Sequence, residues 1–331
     1  MKTIFITGGS GYLGEVLIKK LLKKKYKIIN LDPMFFSSSS FNQFKNKNIK
    51  NFIGVTEDKY ILNEIFQNNK IDTIIHLSGV SNDPTALLDS KLTEKSNVFA
   101  TKLLVNMAKK NKVKKFLFAS SCSVYGFTGD KKAVNEKSKL NPLSAYSKSK
   151  VIGEKIVLKE KSKKFKVNCL RMGTLYGPSP RMRFDLALNV MVGSAIQEKE
   201  IIINGGDQWR PFLHIEDAAD AFIKLLENNN KKLNGQIYNV GSNTENYQIK
   251  NLAYTIKKLI PEGKIKFRKN FDNRSYKGNF DKIKKHLKWE PKKKIQDGAK
   301  SVIELFKKGK IKNFKDKNYY NIKRLMSYLN I

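Results

Sequence analysis

The chain has 331 residues, 40% of them hydrophobic, which suits an ordinary globular protein with a large core and two lobes. No apolar run approaches the ~20 residues that span a bilayer, and the apolar start at Ile4 to Ile6 is interrupted by Thr7 to Gly9, so we expect neither a membrane segment nor a signal peptide. The net charge of +36 comes from dispersed lysines without a nucleic-acid motif, which favours solvated surfaces over nucleic-acid binding.

The first patterned stretch, Lys2 to Asp32, predicts a strand, a turn, a helix and a second strand. Apolar residues at Ile4 to Thr7 lead into TGGSGYLG, and apolar positions at helical spacing then lead to a second apolar run at 28–31. Three glycines of the turn fit G-x-G-x-x-G between strand and helix, namely Gly9, Gly11 and Gly14. Such a turn brings backbone N–H groups and a helix N-terminus to a pyrophosphate, so it predicts a dinucleotide site.

Asp32 ends the second predicted strand, where a carboxylate can hold the hydroxyls of an adenosine ribose. The same carboxylate repels a ribose 2′-phosphate, and Pro33 to Phe35 supply no arginine that would attract one. NAD is therefore predicted as the cofactor in preference to NADP. Small residues after a later strand, at Ser78 to Val80, offer a second place where a cofactor can lie against the backbone.

Strands and helices alternate along the rest of the chain, as parallel βαβ units require. Further strands are predicted at 51–55, 73–77, 115–121, 167–171, 201–203, 212–215, 237–240 and 265–267. Helices are predicted at 60–68, 93–110, 185–197, 217–226, 251–259, 282–287 and 296–307, with another that begins at Ser144. The basic, aromatic tail from Lys310 has no predicted role. Cys122 and Cys169 lie in strand-like apolar runs, which favours a reducing, cytoplasmic location over a disulfide.

A chemical pair lies on the helix that begins at Ser144. Tyr146 and Lys150 are four residues apart and therefore share one helical face. A free tyrosine has a pKa of about 10, but a nearby ammonium and the cationic nicotinamide of NAD favour its phenolate. Such a tyrosine can take the proton of a sugar hydroxyl while hydride leaves the same carbon. Ser121, at the carboxyl end of a central strand, can hydrogen-bond the same oxygen.

Arginine is scarce in this lysine-rich chain, so its positions suggest a need for the planar, bidentate guanidinium. Phosphate or carboxylate recognition is the usual need, and structural pairing explains some of the others. The arginines are Arg171, Arg181, Arg183, Arg210, Arg268, Arg274 and Arg324. No group of His, Cys and Asp residues has the spacing of a metal site, so no metal is predicted.

Taken together, these segments resemble the extended short-chain dehydrogenase/reductase family, the NAD-dependent epimerase/dehydratase group. The resemblance covers nearly the whole chain and rests on TGGSGYLG at 7–14, Asp32, HLSG at 76–79, Asn97, SSCSVYG at 120–126, YSKSK at 146–150, LRMGTLYGP at 170–178 and RPFLHIEDAADAF at 210–222. It implies an α/β fold, a Rossmann-like doubly wound parallel sheet with a smaller C-terminal α/β substrate lobe. We expect the NAD-binding lobe to comprise 1–172 and about 214–240, and the substrate lobe about 173–213 and 241–331.

The resemblance also implies functional residues. The catalytic set would be Ser121, Tyr146 and Lys150, and Lys150 would also hold the nicotinamide ribose. NAD would contact Gly8, Gly11, Tyr12, Leu13, Gly14, Asp32, Leu77, Ser78, Gly79, Asn97, Tyr146 and Lys150. The substrate would be a nucleotide-diphosphate sugar bound by Ser81, Ser123, Arg181, Arg183, Arg210 and Arg274, with the last two on its phosphates. The family often dimerises through the helices around Asn97 and Tyr146, which implies a homodimer.

Departures from the family pattern reduce the number of reactions that this chain is expected to catalyse. Sugar 4,6-dehydratases carry an Asp-Glu pair directly after the catalytic Ser or Thr, where this chain has Cys122 and Ser123, so dehydration is not expected. Fucose synthases place a cysteine two residues after the serine, where Ser123 stands, so their double epimerisation is not expected either. Val55-Thr56 replaces the acid that addresses adenine, and Met172-Gly173 replaces the asparagine of the standard uridine-diphosphate geometry.

The predicted function is NAD-dependent oxidation at C4 of a nucleotide sugar, and a nucleotide-sugar 4-epimerase is favoured. A 4-dehydrogenase or a 4-ketoreductase uses the same three residues and stays an alternative. The alternative from another class is a nucleic-acid-binding protein on a recruited Rossmann fold, which the charge of +36 suits. The intact Ser-Tyr-Lys set weighs against it, because a binding module needs no such set.

Overall fold

The centre of the fold is a seven-stranded parallel sheet, in a computed structural model that describes residues 1–35, 46–129, 132–269 and 272–329. Its strands are β1 (Thr3–Thr7), β2 (Lys27–Asp32), β3 (Ile49–Ile53), β4 (Thr73–His76), β5 (Lys115–Ser121), β6 (Lys166–Met172) and β10 (Gln236–Val240). They lie in the order β10-β6-β5-β4-β1-β2-β3, and all neighbours are parallel. The strand order reverses between β1 and β4, and the carboxyl ends of strands at such a point open a ligand crevice.

Helices pack on both faces of this sheet and around the second half of the chain. They are α1 (Tyr12–Lys23), α2 (Lys59–Asn68), α3 (Asp83–Leu88), α4 (Ser90–Glu94), α5 (Ala100–Lys110), α6 (Ala145–Lys159), α7 (Ala187–Gln197), α8 (Ile215–Glu227), α9 (Ile249–Leu259), α10 (Asp281–Leu287), α11 (Ile295–Lys307) and α12 (Asn321–Leu329). Within the described ranges, none of these helices combines the length and apolar character that crossing a membrane requires.

Alternating side chains of the central strands build a hydrophobic core on each face of the sheet. Ile4 and Ile6 of β1 face the core shared with α1 and α8, whereas Phe5 faces the core shared with α2 and α5. All three side chains are fully buried. Burial on both faces explains the continuous apolar runs from which these strands were predicted.

The second half adds two small sheets. One contains β7 (Thr174–Tyr176), β9 (Trp209–His214) and β11 (Asn246–Gln248), with β9 in the middle, and the other pairs β8 (Glu200–Asn204) with β12 (Lys264–Arg268). Helices α7 and α9 pack on β8, and α11 packs on α7. The predicted fold class is therefore confirmed, while the division into two lobes stays a prediction.

The structure departs from the predicted elements at two places that matter for the site. The helix predicted at 93–110 is divided, because α4 runs into a π-helical turn at Lys95–Phe99 before α5 begins. The amphipathic pattern continues through that turn, so the sequence carries no sign of it. The basic tail, for which no element was predicted, contains α12, which packs against α3.

Candidate active site

The glycine turn between β1 and α1 is shaped for close approach to the backbone. Gly8 has a φ of +74°, and a Cβ there would lie 2.7 Å from the backbone nitrogen of Ser78. A Cβ on Gly14 would lie 2.4 Å from the Gly8 carbonyl oxygen, so α1 packs on the turn only because that side chain is absent. The N-terminus of α1 therefore faces the crevice at the carboxyl ends of β1 and β4.

Asp32 is buried at the end of β2 and stabilises the same turn. Its carboxylate accepts hydrogen bonds from the backbone N–H of Ser10 at 3.0 Å and from that of Met34 at 2.8 Å. Burial raises the pKa of Asp32, and the two N–H groups and the charge of Arg181 oppose that shift. The acid predicted to hold the adenosine ribose thus lies beside the glycine turn, as a dinucleotide site requires.

The loop after β4 lies against the π-helical turn that carries Asn97. A Cβ on Gly79, which has a φ of +135°, would lie 2.5 Å from the Oδ1 atom of Asn97. The Asn97 amide donates to the Val80 carbonyl at 3.0 Å and to the Ser149 hydroxyl at 2.9 Å. Asn97 therefore joins the loop after β4 to α6, the helix of the predicted catalytic pair, and π-helical turns often occur at such functional positions.

Ser121, Tyr146 and Lys150 meet at the carboxyl end of β5. Ser144 caps the first turn of α6 with a side-chain hydrogen bond of 3.1 Å, which sets the start of the helical face that carries the pair. The Ser121 hydroxyl accepts from the N–H of Ser123 at 3.1 Å and is also a hydrogen-bond partner of Tyr146. The Nζ atom of Lys150 lies 5.7 Å from the centroid of the Tyr146 ring.

Burial changes the acid–base behaviour of both members of the pair. It raises the pKa of Tyr146, and the Ser121 hydrogen bond and the charge of Arg183 oppose that shift. It lowers the pKa of Lys150 to about 8, although the carboxylate of Glu154, one turn further along α6, opposes this. The amine can therefore exchange a proton near neutral pH, and the phenol needs nearby positive charge to ionise.

A buried ion pair supports the catalytic helix. Arg171 on β6 donates two hydrogen bonds to Glu154, at 2.8 and 2.7 Å, and each side chain is 3% exposed. Glu154 also accepts from the hydroxyl of Ser120 on β5. The pair therefore joins α6 to two strands of the sheet. The sequence analysis did not predict this ion pair. A signal was present, because Glu154 lies four residues after Lys150 and eight after Tyr146, which places all three on one helical face.

One cavity brings most of the predicted residues together. Those that line it are Gly8, Gly11, Tyr12, Leu13, Gly14, Asp32, Leu77, Ser78, Gly79, Ser81, Tyr146, Lys150, Arg181 and Arg183. Glu57 lines it too, so an acidic side chain does follow β3, one residue past the positions where it was sought. Asn321 and Leu325 of α12 also line it, and the sequence analysis did not predict them. The close backbone approach at Gly8 and the carboxylate of Asp32 fit an NAD molecule in this cavity.

The two arginines predicted for the phosphates do not line this cavity and are held by carboxylates. Arg210 donates to Asp272 at 2.7 Å and to the backbone carbonyl of Arg274. Arg274 donates to Asp272 at 2.8 Å and also to Asp83, the first residue of α3. The two guanidinium groups are therefore neighbours. Their role toward phosphates, like that of the buried Ser123 toward the sugar, stays a prediction.

The parallel sheet and the glycine turn with Asp32 define a dinucleotide-dependent enzyme, and the Ser-Tyr-Lys arrangement lies at the carboxyl end of β5. The sequence profile of the NAD dependent epimerase/dehydratase family matches residues 4–241. The chain belongs to this family, of the extended short-chain dehydrogenase/reductase type, and NAD is its cofactor. The predicted family and cofactor are thereby confirmed.

Individual relatives carry sugar-nucleotide names. A dTDP-D-glucose 4,6-dehydratase of Dictyostelium discoideum is 32% identical over 279 residues, which are 78% of this chain and 62% of that protein. The human dTDP-D-glucose 4,6-dehydratase is 29% identical over 92% of this chain and 90% of its own length. The crystal structure of dTDP-glucose 4,6-dehydratase from Bacillus anthracis in complex with NAD has a TM-score of 0.83 at 25% identity, covering 94% of this chain and 98% of that one.

The Tyr146–Lys150 pair predicts a rise of kcat/KM for oxidation with pH. The pair must lose one proton before Tyr146 can act as a base, and we expect that proton to leave near the Lys150 pKa of about 8, with the remaining proton on the amine in the reactive form. We expect a midpoint near pH 8 when initial rates are measured across pH. In Lys150→Met the midpoint should move upward, because the buried Tyr146 then titrates alone. A wild-type profile that is flat through this range would contradict the assignment.

Proposed function

We propose that this enzyme oxidises C4 of a nucleotide-diphosphate sugar and returns the hydride to the other face, as a nucleotide-sugar 4-epimerase. The observation that carries the proposal is that Tyr146 and Lys150 line the same cavity as the glycine turn and Asp32, and that Ser121 is the hydrogen-bond partner of Tyr146. The sugar-nucleotide names of the relatives support the substrate class.

The three side chains divide the proton chemistry among them. Bound NAD supplies the hydride acceptor and a positive charge. The Tyr146 oxygen removes the C4 hydroxyl proton, and the Lys150 ammonium stabilises the phenolate that does so. The Ser121 hydroxyl already accepts from a backbone N–H, so its own proton is directed to the phenolate or to the reacting sugar oxygen. After the ketone turns over, the same proton is returned by Tyr146.

The surroundings of Ser121 argue against dehydration, even though the relatives described above are named dehydratases. The next two positions are Cys122 and Ser123, and both side chains are buried. Burial raises the pKa of the Cys122 thiol, which donates to the carbonyl of Arg171 at 3.2 Å. Neither group can replace the carboxylic acid and carboxylate that would expel the C6 hydroxyl and remove the C5 proton.

A panel of UDP-, GDP-, CDP- and dTDP-sugars incubated with the enzyme and NAD tests this proposal. Mass spectrometry and NMR should show an unchanged mass with inverted C4, and no lasting absorbance of reduced nicotinamide. Loss of one water would show a dehydratase and overturn the proposal. Loss of two hydrogens with lasting absorbance would favour the 4-dehydrogenase, and turnover only of a 4-keto sugar would favour the ketoreductase.

Two further expectations about partners stay predictions. The homodimer is supported by apolar side chains that remain exposed on its predicted faces, such as Phe99 and Ile152 at 52% and 44%. The nucleic-acid alternative is supported only by the charge of +36. An RNA mobility shift at physiological salt, with no turnover of any sugar nucleotide, would favour that alternative.

A further inference from the structure

The helix α12 lies across the cofactor groove. Asn321 and Leu325 line the cavity and are only 3% and 2% exposed. Further along the helix, the Nε of Arg324 donates to the carbonyl of Phe35 at 3.0 Å, and the Tyr328 ring lies 4.0 Å from the Phe35 ring. Phe35 comes three residues after Asp32, the acid at the end of β2 that is predicted to hold the adenosine ribose. The helix α12 therefore covers that side of the groove.

The first turn of α12 is tied to the other side of the same groove. The Asn321 amide donates to the Ser81 hydroxyl, after β4, at 2.8 Å. Its backbone N–H donates to Asp185 at 3.2 Å, and its side-chain oxygen accepts from Arg181 at 2.6 Å. Ser81 and the Arg181–Asp185 loop come from separate parts of the chain. They converge on a single residue of α12, so the helix bridges the groove from edge to edge.

We propose that α12 is part of the cofactor site and closes over NAD, which enters and leaves only when this helix lifts. The helix has nine residues, too few to be stable alone in water, so it is held by these contacts. Its outer side is open to solvent at Met326, which is 36% exposed, whereas its inner side presents the buried Leu325 to the cavity. Arg181 adds a buried positive charge to a groove that receives the two phosphates of the dinucleotide.

Closure has a consequence for the reaction. If NAD leaves slowly, the hydride taken from one sugar must be returned before the cofactor exchanges. That suits a reaction without net redox change, such as epimerisation, and it disfavours a dehydrogenase that releases reduced cofactor each cycle. The inference rests in this respect on the proposed function, but the closure itself is tested by cofactor release alone.

The test compares the release rate of NADH from the full-length enzyme with the rates from two matched point variants and from a shortened chain. NADH is loaded, excess NAD is added, and the loss of bound-NADH fluorescence is followed. Leu325→Asp puts a charge on the inner face of α12 and should speed release at least tenfold. Met326→Asp puts the same charge on the outer face and should release NADH as slowly as the wild type. A chain that ends at Tyr320 should behave like Leu325→Asp.

The outcomes separate the closure from the reaction. Equal release rates in all four proteins would overturn the closing role of α12 and leave the proposed epimerase untouched. Fast release from Leu325→Asp and from the shortened chain, with the slow wild-type rate kept in Met326→Asp, would support it. A wild type that binds NADH and releases it as fast as Leu325→Asp would overturn the closure, even if sugar turnover proceeds by epimerisation.

Discussion

Tyr146→Phe should reduce turnover of the sugar nucleotide by about 10³-fold or more, because general base catalysis of this size is lost with the hydroxyl. The ring stays, so packing around it is kept, and the Ser121 hydroxyl retains its backbone donor. NAD should still bind, because the glycine turn and Asp32 are unchanged. Steady-state rates on the accepted sugar, together with the NAD content of the purified protein, check both halves of the expectation.

The matched control is Tyr254→Phe, which removes a hydroxyl from a tyrosine that is 48% exposed on α9. We expect wild-type turnover from it. If Tyr146→Phe retained more than a tenth of wild-type activity, another group would have to accept the proton, and the assignment of Tyr146 as the base would be wrong. Loss of NAD from Tyr146→Phe would instead show that the Tyr146 hydroxyl itself helps to hold the cofactor.

The sequence predicts the cofactor half of the site well because local backbone chemistry determines it. The glycine turn needs positive φ at Gly8, directly before the G-x-G-x-x-G motif, and space beside Gly14 within it. Glycine meets both needs, so the turn can be recognised from the sequence. Tyr146 and Lys150 are likewise visible, because they share one helix face and depend little on distant parts of the chain. The buried strands are visible from their continuous apolar runs.

The contacts of α12 across the groove cannot be predicted from the sequence, because they join residues that are far apart along the chain. Asn321 reaches Ser81 across 240 positions and Arg181 across 140. A polar residue in a basic tail has no local feature that shows which loop it meets. The pairing of Arg210 with Asp272 and of Arg274 with Asp83 is hidden for the same reason, since these partners lie 62 and 191 positions apart.

Glu154→Gln should destabilise the protein by about 3–5 kcal/mol, because it leaves the buried Arg171 with half of its partner and an uncompensated charge. A melting temperature lower by at least about 5 °C is expected in a thermal scan. The matched control is Glu160→Gln at the end of the same helix. It breaks the Lys109–Glu160 pair, whose lysine is 53% exposed, and should cost at most about 1 kcal/mol.

The pH profile of Glu154→Gln then shows whether Glu154 also acts on Lys150, in addition to stabilising the fold. The Glu154 carboxylate raises the pKa of Lys150 against burial, so its removal should shift the alkaline rise of kcat/KM to lower pH. If a double variant, Glu154→Leu with Arg171→Met, recovers stability while keeping the acid-shifted profile, the ion pair acts on both stability and the amine. A variant as stable as the wild type with an unmoved profile would show that the pair does neither, and that the other contacts of α6 hold this helix in place.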